Sequence, residues 1–173
     1  MLFRSAREKG LDTLCDAFIG FDRRLTIIGT GPEEERLKKK YFHFSNIEFK
    51  GFLEKEKLGQ SITNCTFSIL PSEWYENYPM SVLESYIFGL PVIAAEIGGI
   101  PEMIENGVTG FLYSSGNKKS LIKVLNNADS IEAKKINEIA IMGLNYFKKN
   151  NSSELHLKKL NKLYEKLMSK EGV

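Results

Sequence analysis

The stretch Phe67-Ser-Ile-Leu-Pro-Ser-Glu-Trp-Tyr-Glu-Asn-Tyr-Pro-Met-Ser-Val-Leu-Glu84 combines an apolar run, a charged loop and the start of a helix. Residues 67–70 have the β-rich, apolar composition of a buried strand, and Pro79 stands where a first helical turn begins. Glu76 therefore falls in the loop after a strand, and Glu84 falls further on, inside the next helix. Ligands of α/β proteins bind at the carboxyl ends of strands, so this unit is the first place to look for a site.

Similar apolar runs alternate with helical stretches along the first 113 residues. They cover residues 1–4, 25–29, 47–51, 67–70, 91–95 and 110–113. This alternation predicts βαβ units and a Rossmann-like, doubly wound parallel sheet of about six strands, most often in the order 3-2-1-4-5-6. Beyond residue 113 the pattern predicts a helical tail. Its helices are expected near 117–127, 131–149 and 152–169.

Length and composition are typical of one globular, soluble domain. The chain has 173 residues, 42% of them hydrophobic and 27% charged, and we expect an α/β core over 1–113 and a helical tail over 114–173. With 24 basic and 22 acidic residues, it is too balanced to favour nucleic acid as a partner. Two cysteines without metal-ligand spacing, and no signal peptide or spanning segment, predict a cytoplasmic location.

The doubly wound order places the loops after the first and fourth strands in one crevice. Arg4 and Lys9 leave the first strand in a short loop, a suitable arrangement for clamping a diphosphate with a guanidinium fork and a point charge. The helix that starts near Pro79 adds free N–H groups and a positive dipole end. For basic residues taken alone, a solvated loop is the alternative interpretation.

Glu84 can be placed on its helix by counting about 100° per residue. Val82, Leu83, Tyr86 and Ile87 then share an apolar stripe, and Glu84 lies well off it. A carboxylate in that position could accept both hydroxyls of a ribose, as acidic residues commonly do in doubly wound folds. A solvated helix glutamate is the alternative.

Several motifs in matching order resemble the C-terminal, donor-binding domain of retaining GT-B glycosyltransferases of family 4, the glycosyl transferases group 1. The motifs are Gly29-Thr-Gly-Pro32, Pro71-Ser-Glu-Trp-Tyr-Glu76, Tyr78-Pro-Met-Ser-Val-Leu-Glu84, Gly89-Leu-Pro-Val-Ile-Ala94 and Gly98-Gly-Ile-Pro-Glu-Met-Ile-Glu-Asn-Gly-Val-Thr-Gly-Phe-Leu112. The resemblance implies a nucleotide-diphosphate sugar as donor, no metal or other cofactor, and a role in surface glycan synthesis. It also implies that an N-terminal acceptor domain is missing, so that the fragment binds a nucleotide but transfers no sugar alone.

Position by position, the resemblance implies that Arg4 and Lys9 hold the diphosphate. Glu76 would be the catalytic acid facing the donor sugar, and Glu84 would bind the ribose. Further donor contacts would come from backbone amides, namely those of Asn77, Tyr78, Met80 and Ser81. Two departures from the family pattern bear on the identity of the sugar: Asn77 replaces a common Gly, and Ser85-Tyr86 replaces a commoner small pair.

Three further turns have predicted roles. Phe52 and Leu53, after the third predicted strand, are candidates for contacting the base, and an ordinary strand end with Phe52 packed is the alternative. Gly98 and Gly99 are expected to allow close backbone approach in a turn. The Gly-Thr-Gly at 29–31 lacks the third glycine of a dinucleotide fingerprint, which disfavours a dinucleotide oxidoreductase.

The tail and the histidines complete the predictions. An apolar stripe on the last helix, framed by lysines, is expected to pack on the domain or on the missing one. Its members are Leu160, Leu163, Tyr164, Leu167 and Met168. Weak contact with the inner face of a membrane is the second interpretation.

His43 and His156 are interpreted as surface or packing residues. A noncatalytic nucleotide-binding or interaction module of the same fold remains an alternative function.

Overall fold

The computed structural model describes residues 5–169. The strands are β1 (Leu25–Ile28), β2 (Ile47–Gly51), β3 (Ser68–Leu70), β4 (Val92–Glu96) and β5 (Gly110–Ser114). The helices are α1 (Leu11–Phe18), α2 (Glu34–Tyr41), α3 (Lys55–Ile62), α4 (Met80–Ile87), α5 (Ile100–Met103), α6 (Lys118–Asp129), α7 (Ala133–Asn150) and α8 (Ser153–Met168), and a 3-10 helix, Arg7–Lys9, precedes α1. The predicted first strand, and Arg4 with it, lie outside the described residues.

The described strands form two parallel sheets. Strand β1 pairs with β2, and β4 lies between β3 and β5. These are the pairings that the order 3-2-1-4-5-6 requires of its second to sixth strands. The parallel α/β class is therefore confirmed, and five of the predicted strands are described. In that order, the strand that would join the two sheets is the one predicted for residues 1–4, which lie outside the described residues.

Strand β4 is the central strand of its sheet and is covered on both faces. Its first four residues, 92–95, are all buried, whereas an antiparallel surface strand would alternate. One apolar cluster lies on the α1 and α6 side of the sheet and includes Leu14, Ile93 and Leu121. A second cluster, on the α4 and α5 side, includes Val82 and Ile100. The two layers hold the loops at the carboxyl ends of the strands in fixed positions.

Tyr86 holds helix α4 in place on its buried face. The Tyr86 side chain is fully buried, its hydroxyl donates to Met103 O at 2.9 Å and lies 3.0 Å from Thr109 Oγ1. Burial raises the pKa of Tyr86 to about 12, so the phenol remains a donor at neutral pH. The prediction that Ile87 shares this buried stripe is wrong, because Ile87 ends α4 and is 51% exposed.

The ring of Tyr86 packs against Gly143 of α7, where the absence of a side chain leaves room for it. A Cβ atom at Gly143 would lie 2.5 Å from Tyr86 Cδ1. In an open helix, Gly to Ala is stabilising by about 1 kcal/mol. Here the clash with a buried ring that is held by hydrogen bonds outweighs that gain.

We expect Gly143→Ala to lower the free energy of unfolding by about 1–3 kcal/mol, because overpacking displaces Tyr86. Gly59→Ala is the matched control, since Gly59 is also helical and a Cβ there meets no atom within 4 Å. That variant should gain about 1 kcal/mol from helix propensity. Urea unfolding of both variants measures the difference, and effects of the same sign would contradict the packing role of Gly143.

Helix α8 presents its apolar side chains outward. It buries none of its residues, and Leu163, Tyr164, Leu167 and Met168 are each more than half exposed. The expectation that this stripe packs on the domain is therefore wrong for the described residues. The two other interpretations of the α8 stripe are contact with a separate partner domain and contact with a membrane surface. Within residues 5–169, no helix combines the length and the apolar character needed to cross a bilayer.

Candidate functional site

The loop that leads into α1 is docked on the loop that follows β3. Glu73 N donates to Glu8 O at 2.9 Å, and Thr13 Oγ1 donates to Glu73 Oε1 at 2.5 Å. Gly10 has φ 64°, and a Cβ there would lie 2.0 Å from Pro71 O. Only glycine combines that backbone conformation with such a close approach. The two loops therefore meet at the crevice that the strand order predicts.

The centre of this contact is an ion pair between Lys9 and Glu76. Lys9 Nζ lies 2.5 Å from Glu76 Oε1, and both side chains are about one-fifth exposed, at 23% and 19%. The hydroxyl of the fully buried Ser72 donates to the same oxygen at 2.9 Å. Two donors from different loops thus fix the carboxylate of Glu76 at the edge of the crevice.

Ser72 was not identified from the sequence. It is held in turn by Ser115, whose Oγ donates to Ser72 O at 3.1 Å. A single serine after Pro71 carries no pattern that distinguishes it from an ordinary loop residue. Its hydrogen bond to Glu76 depends on the turn between them, which only the folded loop shows.

Gly98 and Gly99 hold the backbone of the Glu76 loop from the other side. Gly99 N donates to Glu76 O at 2.7 Å. A Cβ at Gly98 would lie 2.5 Å from Glu76 O, and one at Gly99 would lie 2.0 Å from Asn77 O. The expected close approach is confirmed, and the turn between β4 and α5 becomes part of the site.

The start of α4 lies directly after this loop. Pro79 is the N-cap residue, Met80 is the first helical residue, and no side chain caps the helix start. The N–H groups of Met80 and Ser81, in the first turn, have no partner within the helix and point away from its N-terminal end, whereas Val82 N donates to Pro79 O at 3.0 Å. Such a terminus favours a negatively charged group. Asn77 and Tyr78, just before it, are exposed.

The remaining predicted site residues are placed as follows. Glu84 is exposed on α4, off the buried stripe, as predicted. Phe52 is 68% exposed, so the alternative that it is packed at a strand end is wrong. Leu53 is half-buried and packs against the small cluster that contains Ile28 and Leu58. Arg4 lies outside the described residues, and its predicted role is untested.

The described part of the chain contains no recognisable metal-binding site. Among residues 5–169, no group of three or more His, Cys, Asp or Glu side chains is arranged to hold an ion. His43 and His156 are both exposed, and the His43 ring stacks on Phe42 with 3.5 Å between ring centroids. Both histidines are thus surface residues, as interpreted from the sequence.

A cavity of about 650 Å³ lies elsewhere in the molecule. Side chains of α1, β1, β3 and α6 line it, among them Leu14, Phe18, Ile27 and Leu125. None of the predicted site residues that the structure describes is among its lining residues. The cavity is therefore distinct from the crevice at Lys9 and Glu76.

The sequence matches the family model described as Glycosyl transferases group 1 over residues 1–141. Sulfoquinovosyl transferase SQD2 of Arabidopsis thaliana is 36% identical over 107 residues, which cover 60% of this chain and 21% of that protein. The chain thus spans only a small part of this relative's length.

Two solved structures have the same fold. HepE of Anabaena in complex with UDP-glucose superposes with a TM-score of 0.81 at 22% identity, over 95% of this chain and 48% of that one. The C-terminal domain of the group 1 glycosyl transferase LpcC of Francisella tularensis superposes with a TM-score of 0.75 at 20% identity, over 88% and 85% of the two chains. The expected relationship to GT-B glycosyltransferases is confirmed. Because the family model matches most of its length, this chain belongs to the glycosyl transferases group 1 family.

Proposed function

We propose that this chain is the donor-binding domain of a retaining GT-B glycosyltransferase of family 4. The enzyme would transfer a sugar from a nucleotide-diphosphate sugar to an acceptor that a separate N-terminal domain binds. The observation that carries the proposal is the ion pair of Lys9 and Glu76, at 2.5 Å, beside the uncapped start of α4. It places a cation, a carboxylate and free N–H groups in one crevice, which are the groups that a diphosphate and a reacting sugar require.

The diphosphate would lie between Lys9 and the start of α4, with Arg4 as a further clamp. An ammonium group has three N–H donors, and the bond to Glu76 uses one of them. Lys9 can therefore hold Glu76 and a phosphate oxygen together. The ribose would extend to Glu84, and the exposed Phe52 is placed after β2, where a base is expected.

The reaction breaks the bond between the anomeric carbon and the phosphate oxygen. The sugar gains positive charge, and the leaving diphosphate keeps the electron pair. Lys9 and the helix terminus stabilise the leaving group, because they are already fixed in place when its charge develops. Glu76, held by Lys9 and Ser72, faces the positive sugar and stabilises it. The acceptor hydroxyl then attacks the face that the leaving group occupied and passes its proton to the departing diphosphate oxygen, and the configuration is retained.

The comparisons support a nucleotide sugar as donor, because HepE, which shares the fold, was solved with UDP-glucose. We propose a cytoplasmic enzyme of surface glycan synthesis, and no metal in the transfer step. This chain alone should bind a nucleotide without transferring sugar, because the acceptor half is needed. A noncatalytic module of the same fold is disfavoured, since the chain retains Arg4, Lys9, Glu76 and Glu84 at the positions that donor binding would require.

Ligand-induced stabilisation tests the proposal. We expect UDP, GDP or ADP to raise the melting temperature, with a ligand at about 100 times its dissociation constant adding about 2.7 kcal/mol. Lys9→Ala should weaken the binding of that nucleotide about tenfold or more, because a hydrogen bond to a charged group is lost. Lys158→Ala, at an exposed lysine of α8, is the matched control. Binding of NAD alone, or equal binding by both variants, would overturn the proposal.

A further inference from the structure

The loop that carries Glu76 also touches a distant part of the chain. Asn151 Nδ2 donates a hydrogen bond to the hydroxyl of Tyr78, a residue 73 positions earlier in the sequence. Asn151 is the C-cap residue of α7, and its backbone N–H donates to Phe147 O at 2.9 Å. The end of a long helix therefore reaches the donor-site loop.

Tyr146, on the last turns of α7, reinforces this contact. Its hydroxyl donates to Glu102 O of α5 at 3.1 Å. Burial raises the pKa of Tyr146, and the neighbouring Tyr78 side chain raises it further. Helix α7 thus contacts both the donor-site loop and the helix that follows Gly98 and Gly99.

The loop of residues 76–78 is consequently held from two sides. Gly98 and Gly99 hold the backbone of Glu76 and Asn77, and Asn151 holds the side chain of Tyr78. Helix α7 cannot shift freely, because Gly143 is packed directly against the buried Tyr86 of α4. The start of α4 has no side-chain cap, so these contacts replace the cap as the restraint on the loop.

The contact does not depend on which way the Asn151 amide is turned. A phenol hydroxyl both donates and accepts, so it pairs with either end of an amide. The other end, Asn151 Oδ1, is buried without a partner. An unpaired buried oxygen is costly, and a leucine of similar size would avoid that cost. The asparagine therefore has a use besides filling space.

We infer that Asn151 is a positioning residue for the donor site: through Tyr78, it fixes the loop that presents Glu76 and the amides before α4 to the donor. This inference rests on the proposed function of that loop. Asn151 touches neither donor nor acceptor in this scheme. It acts only by restricting where Tyr78, and hence the backbone of residues 76–81, can lie.

The test is a double-mutant cycle with Asn151→Leu and Tyr78→Phe, in which calorimetry measures UDP affinity. Each single change should weaken binding about three- to tenfold, the effect of one neutral hydrogen bond, and the double change should weaken it no further. Asn145→Leu, at an exposed asparagine of the same helix, is the matched control and should bind as the unmodified chain does. Melting temperature, measured alongside, separates positioning from lost stability.

A second readout needs no ligand. In ¹H–¹⁵N spectra, Asn151→Leu should shift the amide signals of the non-proline residues among 76–81, and Asn145→Leu should leave them unchanged. Additive losses in the cycle, or unchanged loop signals, would overturn the inference while nucleotide binding by the unmodified chain still supports the proposed function. If the loop signals shift and the unmodified chain binds no nucleotide, Asn151 still fixes the loop of residues 76–78, but the proposed function of that loop fails.

Discussion

Glu76→Gln is expected to lower the turnover of sugar transfer by about a hundredfold or more, in a form of the protein that transfers sugar. Glutamine keeps the shape of the side chain, and its oxygen can still accept hydrogen bonds from Lys9 and Ser72. What is lost is the negative charge that faces the developing positive sugar. Removing one fixed electrostatic stabiliser of this kind costs about 3–4 kcal/mol of transition-state free energy.

The affinity for the nucleoside diphosphate should change far less. In the free protein, the carboxylate of Glu76 attracts Lys9 and repels an incoming phosphate. Glutamine removes both effects, so we expect the dissociation constant for UDP to stay within about threefold of its original value. A fall in turnover with constant nucleotide affinity is the pattern of an interaction made in the transition state.

Glu73→Gln is the matched control for Glu76→Gln. Glu73 lies in the same loop, but its carboxylate accepts a hydrogen bond from Thr13 and not from Lys9. Steady-state kinetics should show turnover within about threefold of the original enzyme for that variant, as for a surface carboxylate. Equal losses in the two variants, or an unchanged turnover in Glu76→Gln, would remove Glu76 from the catalytic role.

The strands were predictable because their signal is local. Apolar, β-rich runs bounded by glycine, proline or charged residues mark a strand within a few positions, and all five described strands lie within one residue of their predicted ends. The helices of the tail begin and end within two residues of their predicted bounds. The prediction for Ile87 was wrong because counting residues along a helix gives the angle of a side chain around the helix axis. It does not show whether a neighbouring element covers that side chain.

The site was predictable only where topology could substitute for contacts. The doubly wound order brings the loop of Lys9 and the loop of Glu76 together whatever their side chains are. No such rule predicts the contacts of Ser72 and Asn151. Their hydrogen bonds join them to Glu76 and to Tyr78, and single serines and asparagines occur throughout surface loops. The exposure of α8 could likewise not be predicted, because the sequence pattern shows an apolar stripe but not the surface against which it packs.

Gly99→Ala is expected to lower the free energy of unfolding by about 3 kcal/mol and to abolish nucleotide binding. The backbone at Gly99 has φ −82°, which any residue adopts, so the new methyl group is the whole cause. Its Cβ would lie 2.0 Å from Asn77 O, a backbone atom that cannot rotate away. To relieve the contact, either the turn or the loop of residues 76–78 must move, and the hydrogen bond from Gly99 N to Glu76 O is then lost.

Two other glycines separate steric contact from backbone strain. Gly20 has φ 79° and open space around its Cβ position, so Gly20→Ala should cost about 1–2 kcal/mol for the left-handed conformation alone and leave nucleotide binding intact. Gly98 has φ 59° and a Cβ position 2.5 Å from Glu76 O, so Gly98→Ala combines both penalties. Urea unfolding should rank the losses Gly20, Gly99, Gly98 from smallest to largest. If Gly99→Ala kept its stability and its UDP affinity, the loop of Glu76 would not be held by this turn, and the positions assigned to Glu76 and to the amides before α4 would lose their structural basis.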